Sequence, residues 1–112
     1  MKEKYTIEHY LTEDGDDLFS DWFDDLRDAN AKARIAVRID RVKLGNFGDH
    51  KLLGDGVWEM RIDYGPGYRV YYCFDGQIVV LLICGGDKRT QNVDITKAKA
   101  CKADYEKGKN HD

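Results

Sequence analysis

Two arginines, Arg61 and Arg69, flank a glycine- and proline-containing turn at residues 65–67 and could bind a phosphate or another oxyanion together. Each arginine lies in a run in which apolar and polar residues alternate, over residues 57–64 and 68–74. Alternation with a period of two is typical of β-strands that bury one face. The sequence therefore predicts a β-hairpin that carries both guanidinium groups.

The register of this hairpin decides whether the arginines act on one ligand. A three-residue loop would pair apolar side chains across the hairpin: Ile62 with Val70, Met60 with Tyr72 and Trp58 with Phe74. Both arginines would then lie on the opposite face, together with Glu59 and with Asp63 directly across from Arg69. Two interpretations follow, an oxyanion site or ordinary surface ion pairs, and the hairpin alone does not separate them.

The elements that must position this hairpin follow from periodicity and capping signals. We predict a strand over residues 5–11, an apolar-striped helix over 17–28, a helix over 31–44 capped by Asn30, a loop over 45–51, an inner strand over 77–84 and a closing helix over 94–105. This β-α-α-β-β-β-α order predicts an α+β fold with a small, mainly antiparallel sheet and a helical hairpin on one face. The 112 residues are expected to form a single domain.

Charge is unevenly distributed along the chain, although the net charge is only −3. Residues 1–30 hold 3 Lys and Arg against 10 Asp and Glu, whereas residues 31–112 hold 15 against 11. A basic remainder is compatible with local binding of nucleic acid. Three arginines of the second helix (Arg34, Arg38 and Arg41) form a stripe that is typical of a solvated face, with the acidic first helix as a candidate partner.

Several classes of protein are excluded by what the chain contains. The three cysteines have no C-x-x-C spacing, and the apolar strand contexts of Cys73 and Cys84 indicate buried free thiols in a reducing compartment. The sequence contains no cluster of metal-ligand residues. No segment has the apolar length of a signal peptide or a membrane span. We therefore expect a soluble cytoplasmic protein that uses no metal or other cofactor and does not contact a membrane.

Three motifs extend the hairpin into a longer pattern: W-E-x-R-I at residues 58–62, G-P-G-Y-R-V-Y-Y at 65–72 and G-G-D-K-x-T-Q at 85–91. With the order of elements, they resemble the phage-derived addiction module killer branch of the RelE/ParE toxin superfamily, which is HigB-like in kind. The resemblance implies a RelE-like fold and a toxin of a type II toxin–antitoxin system. It also implies a helix-turn-helix antitoxin as partner, with the ribosome and mRNA as targets, since RelE- and HigB-type members cleave mRNA in the ribosomal A site.

The resemblance also implies roles for individual residues. Arg61 and Arg69 match basic strand positions that contact the scissile phosphate, Lys88 matches the basic residue after the last strand, and Lys51 matches a basic loop position. Glu59 falls where some relatives carry a catalytic lysine and others a polar residue. Residues 88–95 lack the Tyr or His that many such enzymes place there, so this chain departs from the pattern at the general acid.

RNA cleavage by 2′-OH attack would divide further roles among the residues. The arginines would neutralise the phosphorane, Lys88 would assist the leaving oxygen, and Glu59 or His50 would act as base. The expected RNA contacts are Lys51, Arg89, Tyr71 and Gln91. The alternatives are a ParE-like inhibitor of DNA gyrase, which does no chemistry itself, and an inactive phage-derived binding domain; a small homo-oligomer is compatible with each.

Overall fold

A five-stranded sheet covered by helices on both faces makes up the computed structural model, which describes residues 2–109. The elements are β1 Thr6–His9, α1 Leu18–Asp25, α2 Ala29–Lys43, β2 His50–Gly54, β3 Val57–Ile62, β4 Tyr68–Asp75, β5 Val79–Asp87, a 3₁₀ turn Lys88–Thr90 and α3 Gln91–Lys109. The strand order is β1-β5-β4-β3-β2, in which β1 is parallel to β5 and all other pairs are antiparallel. This mainly antiparallel sheet confirms the α+β fold class.

The alternation of β3 and β4 divides the core into two layers. Met60, Val70 and Tyr72 face α1 and α2, where Phe19 and Ile35 complete the layer. The intervening residues of the same strands point to the opposite face, where α3 covers a second apolar cluster: Val57, Tyr71, Cys73, Leu81, Ile83 and Ala98. The predicted helical hairpin on one face is therefore confirmed, and α3 covers the face that carries the arginines.

Aspartates begin both helices of the helical hairpin. The Asp17 carboxylate accepts a hydrogen bond from the Ser20 backbone N–H at 3.0 Å and caps α1. The Asp28 carboxylate accepts from the backbone N–H groups of Asn30 and Ala31 at 2.9 and 3.2 Å. The prediction of Asn30 as the cap of the second helix is therefore wrong, because Asp28 satisfies these donors and α2 begins at Ala29.

The stretch predicted as a loop over residues 45–51 ends in a strand. His50 and Lys51 begin β2, which pairs antiparallel with β3. Asp55 and Gly56 connect the two strands with φ of 54° and 76°, the positive values that a type I′ hairpin turn requires at both central positions. The element order therefore contains one strand more than predicted, β-α-α-β-β-β-β-α.

The β3–β4 hairpin differs from the predicted register by two residues. The observed pairs are Ile62 with Tyr68, Met60 with Val70 and Trp58 with Tyr72. Strand pairing ends at Ile62, and residues 63–67 form the connection, in which the Tyr64 N–H bonds to the Ile62 carbonyl at 2.9 Å. A shift of two keeps every side chain on its predicted face. It also places Arg61, rather than Asp63, directly opposite Arg69.

The inner position predicted for the last strand is confirmed, since β5 lies between β1 and β4. A β-bulge at Ile83 lets this residue and Cys84 both face α3, after which β5 continues to Asp87. The closing helix begins at Gln91, three residues earlier than predicted, because the Asp87 side chain caps the 3₁₀ turn that precedes it.

No helix within residues 2–109 has the length and apolar character to cross a membrane.

Candidate functional site

Arg61 and Arg69 line a cleft of about 270 Å³ on the sheet face that carries α3. The hairpin register confirms that both side chains project from one face, since Arg61 and Arg69 are directly paired. Lys88, from the 3₁₀ turn after β5, lines the same cleft. Three successive strands of the sheet thus each supply one cation, from the strand itself or from the turn that follows it.

Two like charges directly opposite each other on neighbouring strands repel, so the pair requires counter-ions or an anionic ligand. Arg69 is the more deeply held of the two, with a side chain that is 12% exposed. Its Nη1 donates to the Gly67 carbonyl at 2.7 Å, and its Nε lies 3.6 Å from Oε2 of Glu59. The Nε group has no hydrogen-bond partner among the described residues. The Arg69 guanidinium is therefore fixed in place and only partly satisfied by the protein.

Glu59 is the buried counter-ion of Arg69. Its side chain is 1% exposed, and Nε2 of Gln91 donates to its Oε2 at 2.9 Å. Gln91 is the first residue of α3, so the start of this helix covers the Glu59 carboxylate and holds it beside Arg69. Glu59 does not line the cleft. In this arrangement the carboxylate orients Arg69, which is a different task from the base chemistry expected from the sequence.

Arg61 is held from the other side by the loop that precedes β2. Its Nη2 forms an ion pair with the Asp49 carboxylate at 2.8 Å, and its Nε also donates to Oδ1 at 3.2 Å. Arg38 fastens this loop to β3, since its Nη1 donates to the Arg61 carbonyl at 2.5 Å and its Nη2 to the Phe47 and Asp49 carbonyls at 3.0 and 3.2 Å. Burial lowers the pKa of the Arg38 guanidinium from its ordinary high value.

Asp49 and Arg38 belong to the site and were missed by sequence reasoning. Arg38 was visible only as one member of an arginine stripe, and the loop that contains Asp49 carries no signal of its own. The suggested pairing of that stripe with the acidic first helix is not observed. The Arg38 guanidinium instead donates to the backbone carbonyls of Phe47, Asp49 and Arg61. No carboxylate of the described residues forms an ion pair with Arg34 or Arg41.

The other predicted RNA contacts occupy different positions around the site. Lys51 pairs with Glu59 in the β2–β3 register, so it lies on the arginine face but outside the cleft lining. Arg89 is exposed and forms an ion pair with Asp87 at 2.8 Å. The side-chain amide of Gln91 already donates a hydrogen bond to the Glu59 carboxylate. Of the predicted residues, Arg61, Arg69 and Lys88 line the cleft.

The structure separates His50 from the cleft. His50 pairs with Met60 in the β2–β3 register and therefore points to the face of the sheet that carries α1 and α2. Its Nδ1 hydrogen-bonds to the Tyr72 hydroxyl at 3.0 Å, and its ring stacks between Phe47 and Trp58 at centroid distances of 5.3 and 5.0 Å. Burial raises the pKa of Tyr72 well above its ordinary value.

Tyr71 lies on the predicted face but is fully buried beneath α3. Its hydroxyl has no hydrogen-bond partner among the described residues. Burial raises the pKa of Tyr71 well above its ordinary value, and the nearby carboxylates of Glu59 and Asp94 raise it further. In this arrangement the ring is not accessible for stacking on a base.

The cleft as a whole can bind an oxyanion and offers limited proton chemistry. Its lining carries three cations, two carboxylates and the Tyr68 phenol, whose pKa is raised by burial. The charged groups are Arg61, Arg69, Lys88, Asp49 and Asp63. A phosphate bound here would replace part of the repulsion between the two arginines with charge-assisted hydrogen bonds. Within residues 2–109, no three His, Cys, Asp or Glu side chains are grouped to hold a metal ion.

Comparison with known proteins gives two matches. A family model described as "Phage derived protein Gp49-like (DUF891)" matches residues 21–106, which contain every residue of the cleft. A relative from Haemophilus influenzae, described as an uncharacterized protein, is 51% identical over 81 residues, which are 72% of this chain and 82% of the relative. No solved structure matches the chain significantly.

Proposed function

Because the chain belongs to the Gp49-like family of phage-derived proteins, we propose that it is the toxin of a type II toxin–antitoxin system and a member of the RelE/ParE superfamily. Its proposed activity is metal-independent, ribosome-dependent cleavage of mRNA, which stops translation. The observation that carries the proposal is the direct pairing of Arg61 with Arg69 in a cleft that also receives Lys88. A helix-turn-helix antitoxin would keep the toxin silent.

The proposed reaction begins with attack of an RNA 2′-hydroxyl on the adjacent phosphorus. A bond forms between the 2′-oxygen and phosphorus while the bond to the 5′-oxygen breaks, which leaves a 2′,3′-cyclic phosphate and a 5′-hydroxyl. Arg69 and Arg61 would neutralise the charge that develops on the phosphorane oxygens. Lys88 would donate a proton to the leaving 5′-oxygen, and the carboxylates that line the cleft, Asp49 and Asp63, are the groups available to accept the 2′-hydroxyl proton.

Binding without chemistry is the second candidate, as a ParE-like gyrase inhibitor or an inactive binding domain. The observation in its favour is that neither Glu59 nor His50 lines the cleft. The two groups that sequence reasoning offered as a base are therefore held elsewhere, one beneath α3 and one on the opposite face. A cleft that only binds phosphate or a carboxylate of a protein target needs no proton acceptor.

Induced expression in a bacterial host separates these candidates. For the wild-type chain we expect growth arrest together with new 5′ ends in cellular mRNA, detected by primer extension. Arg61→Ala should lower cleavage at least about a hundredfold, because loss of one charge-stabilising group costs roughly 3 kcal/mol in the transition state. Because Arg61 is half-exposed, we expect the variant to fold normally. The matched control is Arg27→Ala, which removes an exposed arginine outside the cleft.

Each outcome of this experiment decides one point. DNA breaks without new mRNA 5′ ends would replace the nuclease with a gyrase inhibitor. Full toxicity of both Arg61→Ala and Arg69→Ala would show that the cleft is not the site. Circular dichroism of Arg69→Ala is required beside its toxicity, since this variant leaves the buried Glu59 carboxylate without its arginine.

A further inference from the structure

A second concave surface lies between α2 and the end of β3, with a volume of about 530 Å³. We call it the α2 groove, and its lining residues are Asn30, Ala33, Arg34, Val37, Arg38, Arg41, Ile62 and Asp63. The α2 residues recur at intervals of three and four, so they form one continuous face of the helix. The core face of α2 is a different one, formed by Ala31, Ile35 and Val42.

The floor of the α2 groove is apolar and open to solvent. Val37 is 46% exposed, although it lies in the middle of a helix whose other branched apolar side chains are buried or partly buried. Ala33 lies one turn before Val37, and Ile62 contributes the wall from β3. An exposed valine beside a groove with a mainly apolar lining is a feature of surfaces that receive an apolar side chain of another molecule.

Arginines border this apolar floor at both ends. The Arg34 guanidinium lies 4.5 Å from the centre of the Tyr64 ring, a cation–π contact that positions it beside the groove. Arg41 is exposed seven residues further along α2, at a distance of about 10 Å along the helix axis. Neither forms an ion pair with a carboxylate of residues 2–109. Two cations about two turns apart are therefore free to meet carboxylates of a partner.

We propose that the α2 groove binds an acidic amphipathic helix of a protein partner. An apolar side chain of that helix would pack on Val37 and Ala33, and carboxylates about seven residues apart would pair with Arg34 and Arg41. A strand of RNA fits less well, because the lining is mainly apolar and Arg38 already donates to three backbone carbonyls. Apolar floor and charged rim together specify the partner as a helix with one apolar and one acidic face.

The α2 groove and the arginine cleft share Ile62 and Asp63 as lining residues. A helix in the groove would therefore lie at the mouth of the cleft and could close it to a large substrate without touching Arg69. Identifying this partner as the antitoxin rests on the proposed function. The binding of an acidic helix to the groove does not rest on that function, because this binding depends only on the shape and charge of the groove.

The test uses the purified full chain and fluorescently labelled peptides of about 18 residues, or five helical turns. One peptide carries leucines on one face and glutamates on the other, and a second has the same composition in a scrambled order. We expect the amphipathic peptide to bind at least about tenfold more tightly than the scrambled one. The double variant Arg34→Glu/Arg41→Glu should remove that preference by reversing the two rim charges. Val37→Glu should also remove it, because this variant places a charge on the apolar floor of the groove and keeps both arginines.

The control variant Lys97→Glu/Lys107→Glu changes net charge equally at exposed positions of α3 and should leave peptide binding unchanged. Equal binding of the two peptides, or no loss with the groove variants, would overturn the proposal. A labelled oligouridine serves as the RNA arm: loss of its binding in the groove variants, with peptide binding intact, would make the groove an RNA surface instead. Peptide binding by a chain that causes no growth arrest would leave the groove proposal standing and remove only the proposed function.

Discussion

Tyr71 and Tyr72 are adjacent in β4 and equally buried, yet their hydroxyl groups have different surroundings. The Tyr72 hydroxyl hydrogen-bonds to His50, whereas the Tyr71 hydroxyl lies beneath α3 and has no hydrogen-bond partner within residues 2–109. A buried polar group without a partner costs about 1–3 kcal/mol, and a hydrogen bond typically contributes about 1 kcal/mol. The two residues therefore form a matched pair in which the same substitution has opposite effects.

Tyr71→Phe should raise the free energy of unfolding by about 1 kcal/mol, because it removes the unpaired hydroxyl and keeps the ring. Tyr72→Phe should lower it by about 1 kcal/mol, because it leaves Nδ1 of His50 without its bond. Urea denaturation followed by tryptophan fluorescence measures both. Equal changes in the two variants would contradict the assignment of the two hydroxyl environments.

The faces of the site residues could be predicted from sequence, but their depth could not. Alternation correctly placed Arg61, Arg69 and Tyr71 on one face, because a register shift of two leaves every face unchanged. Whether Tyr71 and Glu59 are exposed depends on α3, which begins 32 residues after Glu59 in the chain, at its hydrogen-bond partner Gln91. No local pattern reports that contact, so the expected base-stacking and base-catalysis positions turned out to be buried.

At the scale of elements, the end of α3 is fastened to the β4–β5 hairpin by Asp75. Its carboxylate accepts hydrogen bonds from Lys109 and from the Tyr105 hydroxyl. The hydrogen bond from Lys109 has the largest effect and lowers the pKa of Asp75 below its ordinary value of 3.8, and the hydrogen bond from Tyr105 lowers this pKa further. The same contact raises the pKa of Tyr105 to about 12.

A lowered carboxyl pKa in the folded state predicts a loss of stability in acid. The contribution of Asp75 is complete above the ordinary carboxyl pKa of about 4 and is lost as the pH falls through the lower folded-state value. Asp75→Asn should therefore reduce stability at neutral pH and flatten its fall below about pH 4. Urea denaturation across this range measures the effect, and Asp14→Asn, in an exposed turn, is the control. An unchanged acid dependence in Asp75→Asn would contradict it.

Element boundaries were predicted least well where a short polar side chain or a weak pattern decides them. Asp28 and Asn30 are both good capping residues, and the choice between them is made by the backbone geometry that α2 adopts. The segment that contains β2 begins among glycines and polar residues, so its pairing with β3 was not foreseen. Without this strand the sequence could not show which face of the sheet His50 lies on, since only the β2 register fixes that face.

At the scale of the whole molecule, a net charge of −3 and a local cationic cleft make opposite predictions for RNA binding. If the cleft decides, each phosphate neutralised on a single strand contributes about −0.7 to the slope of log affinity against log salt concentration. Three contacts, by Arg61, Arg69 and Lys88, should give a slope of about −2.

Arg69→Ala should reduce the magnitude of this slope by about 0.7, as measured by fluorescence anisotropy of an oligouridine over a salt titration. Arg27→Ala, outside the cleft, provides the comparison. An identical slope in wild type and Arg69→Ala would mean that RNA contacts some other surface. Binding that is insensitive to salt would mean that the cleft does not bind phosphate at all.

The parallel pairing of β1 with β5 has a consequence for how the chain is made. Thr6 pairs with Val79 and His9 with Leu82, so the first strand pairs with a strand near the far end of the sequence. During synthesis on the ribosome, β1 must wait until β5 has emerged before it can pair. Lys88 follows β5 directly, so the sheet and the cleft are completed by the same late segment. A prematurely terminated chain that ends before β5 therefore lacks both the complete five-stranded sheet and the Lys88 side of the cleft.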